Sequence, residues 1–136
     1  MTESQHIAVA SLLSKLTGNP IVAFIVGFAS HAVLDIIEPQ EHKINIRKDT
    51  DMILLEVLLS ATMIIMFRGN PVILCGIIGG ILPDVIDGTL SIINRDRYMT
   101  GNHLFWFHRP RDSREMSKKV TMLVSIVLTF VVLIGG

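Results

Sequence analysis

Gly79-Gly80-Ile81-Leu82-Pro83-Asp84-Val85-Ile86-Asp87-Gly88 places two carboxylates inside an apolar run that extends over residues 71–93. Asp84 and Asp87 are three residues apart and therefore share one face of a helix. Pro83 has no N–H and is expected to disrupt the helical turn before it. A bare carboxylate is unfavourable among apolar side chains, so this pair needs a partner, and we predict a metal ion. The alternative is that Asp84 only caps a half-helix that restarts after Pro83.

The composition favours a membrane protein. Half of the 136 residues are hydrophobic, the mean hydropathy is +0.56 and only 18% are charged, whereas a soluble domain usually carries about 25% charged residues. Several long uncharged runs indicate the same class. The net charge is zero, and nothing in the chain predicts nucleic-acid binding. The single Cys75 excludes an intrachain disulfide.

The apolar runs predict an all-α integral membrane bundle in one domain, residues 1–136. A segment at 7–16 is too short to span a bilayer of about 30 Å, and longer runs follow at 21–37, 51–67, 72–93 and 120–134. The last run is rich in Val and Ile and would suit a strand in water. In lipid only a helix satisfies its backbone, so we predict a C-terminal helix there.

A short motif occurs twice and indicates an internal duplication. Gly18-Asn19-Pro20-Ile21 and Gly69-Asn70-Pro71-Val72 are near copies, and in each the proline opens an apolar helix. Each copy is followed at similar spacing by a further trio: Gly27, His31 and Asp35, or Gly79, Pro83 and Asp87. We interpret the two units, at about 6–37 and 51–93, as tandem helical hairpins that form parallel repeats.

Hairpin geometry predicts that polar side chains gather in one layer. His6 and His31 lie about twelve residues on either side of the first turn, and antiparallel helices rise equally, by about 1.5 Å per residue. Glu56 and Asp84 are related in the same way by the second turn. The predicted layer contains His6, His31, Asp35, Glu56, Asp84 and Asp87. Such a layer is what a metal site within a helical bundle requires.

The individual residues admit more than one interpretation. The i, i+4 spacing of His31 and Asp35 suits two ligands of one cation, or a hydrogen-bonded pair that links helices. His6 is a ligand or part of a solvated terminus. Glu56 is a general base or a helix residue bonded to a neighbour, and Asp87 is the other candidate for the catalytic base.

The loop at 94–119 carries further candidates. His103 and His108 flank an aromatic cluster, so either a histidine joins the metal ligands or the segment is an aromatic membrane anchor. Arg109 and Arg111 would bind an anionic headgroup, or they reflect the excess of basic residues in cytoplasmic loops. Basic residues are concentrated at 38–50 and 94–119, which places both loops in the cytoplasm.

These motifs together resemble the bacterial membrane-bound metal-dependent hydrolases, small inner-membrane proteins whose motifs are similar to those of zinc-dependent phospholipase C. His6-Ile7 corresponds to the family's N-terminal histidine. Leu82-Pro83-Asp84-Val85-Ile86-Asp87 resembles its Leu-Pro-Asp-Ile-Asp-His motif, with one extra residue between the aspartates and Gly88 in place of the histidine. His108-Arg109-Pro110 resembles the start of its His-Arg-Gly-x-Thr-His loop, although Asp112-Ser113 replaces Thr-His.

The resemblance implies a hydrolase in the cytoplasmic membrane of a bacterium or archaeon. We expect one or two divalent ions, zinc first, that activate water for attack on an ester or phosphoester, with a phospholipid as the expected substrate. The candidate ligands are His6, His31, Asp35, Asp84, Asp87, His103 and His108, with His31 or His103 in place of the family's missing histidines. Two other classes stay open: a transporter of ions or small solutes that uses the intramembrane carboxylates, and a non-catalytic assembly protein. Gly76, Gly79 and Gly80 would permit close helix contact, also in a homo-oligomer.

Overall fold

The computed structural model describes residues 2–37, 48–93, 104–105 and 117–135. Within these ranges every regular element is a helix. The helices are α1 (Glu3–Ser14), α2 (Pro20–Ile37), α3 (Thr50–Met66), α4 (Pro71–Ile93) and α5 (Lys118–Ile134). The predicted all-α class is therefore confirmed, including a helix in the Val-rich and Ile-rich C-terminal run. The first helix begins earlier than its apolar run, because the polar residues before residue 7 are helical too.

The duplicated turn motif starts two helices in the same way. The side-chain oxygen of Asn19 accepts hydrogen bonds of 2.9 and 3.3 Å from the backbone N–H groups two and three residues later. Asn70 accepts the equivalent bonds at 3.1 and 3.2 Å. The intervening prolines need no partner because they have no N–H. Gly18 has a φ of 62°, a conformation that glycine adopts without strain.

The short helix α1 lies in the centre of the bundle. It packs against each of the other four helices. Its buried residues lie on all sides of the helix: Ser4, Gln5, His6, Ile7, Ala8, Ala10, Ser11 and Ser14. The longer helices therefore enclose α1, which at 12 residues is too short to cross a bilayer.

Helices α2 and α4 form the largest interface of the structure, and they run parallel. Gly27 lies against the carbonyl of Gly76, and one turn further along both helices His31 contacts Gly80. Gly79 lies equally close to the backbone of α2. Small residues that allow backbones to approach are typical of helix pairs in membranes. The shared direction is the one that parallel repeats would have.

Helix α4 continues through Pro83 as a single α-helix from residue 71 to residue 93. The expected disruption of the helical turn before Pro83 does not occur, and the alternative in which Asp84 caps a restarted half-helix is wrong. The proline removes one backbone hydrogen bond, but Pro83 is buried and the interface with α2 supports the helix on both sides of it. Asp84 and Asp87 therefore both belong to one unbroken helix.

The second predicted hairpin is not a packed pair. Although a short turn joins α3 to α4, α3 packs against α5 and α1 and shares no substantial interface with α4 in the described part of the chain. Glu56 therefore does not lie on a helix that packs against the one carrying Asp84. The capped turn determines where α4 begins. The direction of α3 is determined by its packing against α5 and α1.

The surface is rich in hydrophobic side chains and the interior is rich in polar ones. Large apolar residues are exposed on the four longer helices, among them Ile25 (58%), Leu54 (64%), Val85 (52%) and Phe130 (62%). Among the described residues, the buried polar or charged residues outnumber the buried hydrophobic ones. By length and composition, Pro71–Leu90 in α4 is the one described segment that is able to cross a membrane, and Pro20–Ile36 is apolar but shorter.

Candidate metal centre

Two histidines from different helices meet in the interior. His6 on α1 and His31 on α2 are both buried, and their rings stack with centroids 3.8 Å apart at an interplanar angle of 17°. The sequence places them at equal distances from the first turn, and the structure brings them together at that level. This is the part of the predicted layer that the first hairpin determines.

Asp35 joins the two imidazoles. Its Oδ1 lies 3.2 Å from Nε2 of His6, and its Oδ2 lies 3.0 Å from Nε2 of His31. The contact with His31 spans one helical turn, as the i, i+4 spacing predicts. One carboxylate therefore orients both rings.

Asp84 adds a third helix to the site. Its Oδ1 lies 3.5 Å from Nε2 of His31. One potential ligand atom from each of His6, His31 and Asp84 lies within 4.8 Å of the other two. The Asp84 side chain is 37% exposed, whereas the two histidines are buried. Asp84 therefore marks the side from which the site is accessible.

The backbone of α4 fixes the tautomer of His31. Nδ1 of His31 lies 2.5 Å from the carbonyl oxygen of Gly80. A carbonyl only accepts hydrogen bonds, so Nδ1 carries the proton and donates it. The other nitrogen, Nε2, faces oxygen atoms of both Asp35 and Asp84. A lone pair that faces carboxylates needs a proton or a metal cation on Nε2, and metal-bound histidines commonly donate their other N–H to a carbonyl.

His6 suits a ligand role for a separate reason. Burial is the largest influence on the pKa of His6 and lowers it below its ordinary value, against the opposing hydrogen bond to Asp35. The nearby His31 lowers this pKa further, which favours the neutral imidazole. Its Nδ1 is buried and has no hydrogen-bond partner among the described residues. Neutral imidazole is the form that binds metals.

Gly80 allows the three helices to approach each other here. A Cβ on Gly80 would lie 2.8 Å from the Cβ of Ala10 and 3.4 Å from the carbonyl oxygen of His6. The absence of a side chain thus brings α4 against α1, while the Gly80 carbonyl reaches His31. The sequence suggested close helix contact at this glycine and gave no sign of the hydrogen bond from His31.

Asp87 is buried beside a different segment. Its Oδ1 accepts a 3.2 Å hydrogen bond from the backbone N–H of Leu104, and it is 2% exposed. The next residue, Phe105, packs edge to face against Phe28 of α2, with ring centroids 5.8 Å apart. Asp87 is not in the group formed by His6, His31 and Asp84. Its hydrogen bond holds residues 104–105 against the end of the bundle that contains His6, His31 and Asp84.

Glu56 lies in a second polar cluster, between α1, α3 and α5. Its Oε2 accepts a 3.1 Å hydrogen bond from the backbone N–H of Ser4, and its Oε1 accepts a 2.7 Å bond from the Ser125 hydroxyl. Both carboxylate oxygens are therefore engaged away from the two histidines. The contacts of Glu56 do not suit the general base that the sequence suggested.

The remaining predicted site residues lie outside the described residues. They are His103, His108, Arg109 and Arg111. Comparison with known proteins assigns the chain to no family: no family model matches it, and no significantly similar curated protein or solved structure is found. The chemistry of the site is therefore inferred from its own geometry, in which two imidazoles and a partly exposed carboxylate meet.

Proposed function

We propose that the protein is a membrane-embedded, metal-dependent hydrolase that acts on an ester or phosphoester, with a lipid of the inner leaflet as substrate. The observation that carries the proposal is the orientation of His31. Its Nδ1–H is committed to Gly80, so its Nε2 faces two carboxylates. A divalent cation among these groups removes the repulsion between the lone pair and the carboxylate charges.

The donor set suits zinc. His6, His31 and Asp84 offer two nitrogen atoms and one oxygen atom, and a site of two histidines and one carboxylate with one open position is typical of zinc hydrolases. Asp35 contacts Nε2 of both rings. On His31 this is the nitrogen that would bind the metal, so the Asp35 carboxylate would lie beside the ion.

The chemistry follows from the residues around this set. Zinc bound here would supply hydroxide at neutral pH, because coordination lowers the pKa of water to about 7. Asp35 is the acid that contacts both histidines, so it replaces Glu56 as the proposed proton acceptor. The exposure of Asp84 gives the substrate its approach, and the buried histidines exclude bulk water from the other side.

The proposed membrane setting is supported by the distribution of side chains. The four longer helices have 17 to 23 residues, which falls within the range of about 17–25 that spans a bilayer. Their exposed faces carry large apolar residues, while Ser, Thr, Gln, His and acidic side chains fill the interior. Lipid is the solvent that accepts such a surface. We place the loops at 38–50 and 94–119 on the cytoplasmic side.

Metal analysis of the purified full-length chain tests the proposal. We expect a divalent metal, zinc first, at one or two equivalents in the wild-type protein, and loss of stoichiometric metal in Asp84→Ala and His31→Ala. Asp51→Ala is the matched control, because Asp51 is an exposed aspartate on α3 that contacts Lys118. Metal-free wild-type protein, or a stoichiometry that neither site variant changes, would contradict a metal centre.

The transporter alternative loses one argument and retains another. Discontinuous helices are typical of transporter binding sites, and α4 is continuous through Pro83. The parallel pairing of α2 and α4, with acids on both, still fits a path for ions. Flux into liposomes that contain the purified protein, without hydrolysis of their lipids, would favour a transporter.

A further inference from the structure

We infer that Glu56 is a positioning residue for the metal centre: its carboxylate caps the N-terminus of α1 from α3 and thereby fixes the position of His6. This inference rests on the proposed metal site. It also gives the acid of α3 a role that differs from the general base suggested by the sequence.

The first step is the contact with the helix end. The first N–H groups of an α-helix have no partner within the helix and need an acceptor. In α1, Ser4 is the second residue of the helix, and its N–H donates to Oε2 of Glu56 at 3.1 Å. A carboxylate at this position also interacts favourably with the positive end of the helix dipole.

The second step is the way in which Glu56 itself is held. Its other oxygen accepts from Ser125 of α5 at 2.7 Å. The Ser125 hydroxyl in turn accepts from Nε2 of Gln5 at 3.0 Å and lies 3.0 Å from the hydroxyl of Thr2. Gln5 Nε2 also donates to the carbonyl of Thr121 at 3.2 Å. The carboxylate thus accepts from Ser4 and Ser125, and with the bonds of Gln5 it joins the first turn of α1 to α3 and α5.

The third step leads from this cluster to the histidine. His6 follows Ser4 by two residues and is still within the first turn of α1, the part of a helix that frays when it is not capped. Its ring stacks on His31 and contacts Asp35, which both belong to α2. His6 is thus the one residue of the site that α1 supplies, and Glu56 holds the turn that carries it.

Zinc affinity and amide hydrogen exchange, measured on the full-length protein in detergent, test the inference together. We expect Glu56→Ala to lower zinc affinity by about 10–100-fold, the effect that loss of an outer-shell partner usually has, and to accelerate exchange at residues 4–7. Glu56→Gln keeps an acceptor oxygen, so its zinc affinity should fall less and its exchange at residues 4–7 should rise less than in Glu56→Ala. Asp51→Ala, which removes an exposed acid from the same helix, should change neither.

A rescue variant separates capping from general stability. Thr2 precedes α1 and forms a capping box with Gln5, so Thr2→Asp keeps an acceptor there and adds a carboxylate at the helix start on α1 itself. In the Glu56→Ala background it should restore slow exchange and most of the zinc affinity. Ser125→Ala, which leaves Glu56 in place without its hydroxyl donor, should have an intermediate effect and serves if Glu56→Ala does not fold.

The two proposals fail in different ways. Wild-type protein without zinc affinity, combined with faster exchange in Glu56→Ala, would end the metal proposal and leave the capping contact intact. Unchanged exchange and affinity in Glu56→Ala would overturn the positioning role, as would lower affinity with unchanged exchange. Failure of Thr2→Asp to restore either quantity would also contradict capping as the cause.

Discussion

At the scale of single residues, one histidine nitrogen determines the chemistry of the site. Because the Gly80 carbonyl fixes the proton of His31 on Nδ1, the opposite nitrogen is left to face Asp35 and Asp84. The i, i+4 spacing of His31 and Asp35 predicted their contact from the sequence. The Gly80 contact was not predictable in this way, because a glycine carbonyl carries no residue-specific signal.

Asp35→Asn should weaken zinc binding without abolishing it. The amide retains one oxygen but loses the negative charge that both imidazoles contact, so we expect affinity to fall by about 10–100-fold. Competition with a chelating dye measures this change. Asp51→Asn is the matched control, and an Asp35→Asn protein with wild-type affinity would contradict a role for Asp35 beside the ion.

Asp87→Ala should release residues 104–105 and leave the metal in place. The change removes the acceptor of the partly buried Leu104 N–H, so amide exchange and protease cleavage near residue 104 should increase. Asp87→Asn retains an oxygen and should behave like the wild type in both assays. Loss of stoichiometric zinc in both variants would instead return Asp87 to the ligand set that the sequence suggested.

At the scale of elements, the interface between α2 and α4 depends on glycine. A Cβ at Gly27 would overlap the carbonyl oxygen of Gly76, and one at Gly79 would overlap that of Phe24. Apolar periodicity and the repeated turns predicted these helices and their starting points. They did not predict that α3 packs against α5 instead of α4, because a turn motif caps a helix but does not determine which helices it packs against. For the same reason Glu56 was expected beside Asp84, whereas it contacts α1 and α5.

Gly27→Ala should destabilise the folded protein, whereas Gly88→Ala should not. Overpacking a close interface usually costs about 1–3 kcal/mol, and the Gly27 site meets backbone that has no flexible side chain to move. Gly88 is also inside a helix, α4, but an added Cβ there would have no atom within 4 Å. Alanine at this position should therefore stabilise the folded protein by about 0.5–1 kcal/mol. Unfolding by denaturant in detergent compares the two. Equal stability of the two variants would contradict the close α2–α4 contact.

At the scale of the whole molecule, the distribution of side chains is the main feature. Exposed Ile, Leu, Val and Phe side chains cover the longer helices, and polar groups are gathered around α1. Composition predicted the apolar character of the chain. The gathering of polar groups was only partly predictable. The depth of a residue along a helical hairpin follows from its distance to the turn, which predicted the pairing of His6 and His31. The cluster around Glu56 depends instead on packing between helices that are far apart in the sequence.

Cysteine labelling tests the membrane setting. In a Cys75→Ser background, Leu54→Cys and Phe130→Cys should resist a membrane-impermeant maleimide in vesicles and react after solubilisation in denaturant. Lys48→Cys should react without denaturant in inverted vesicles, since residue 48 is exposed at the start of α3 and belongs to a loop that we place in the cytoplasm. Rapid labelling of all three positions in intact vesicles would contradict the proposed bilayer.

The backbone contact between α2 and α4 has a further consequence for the assembly of the site. No side chain separates the two helices at their closest approach, so we expect little relative movement between the helices that carry His31, Asp35 and Asp84. His6 arrives on a different helix. We therefore expect α2 and α4 to present His31, Asp35 and Asp84 together, with His6 completing the group from α1, so that a displacement of α1 would expose the other three side chains.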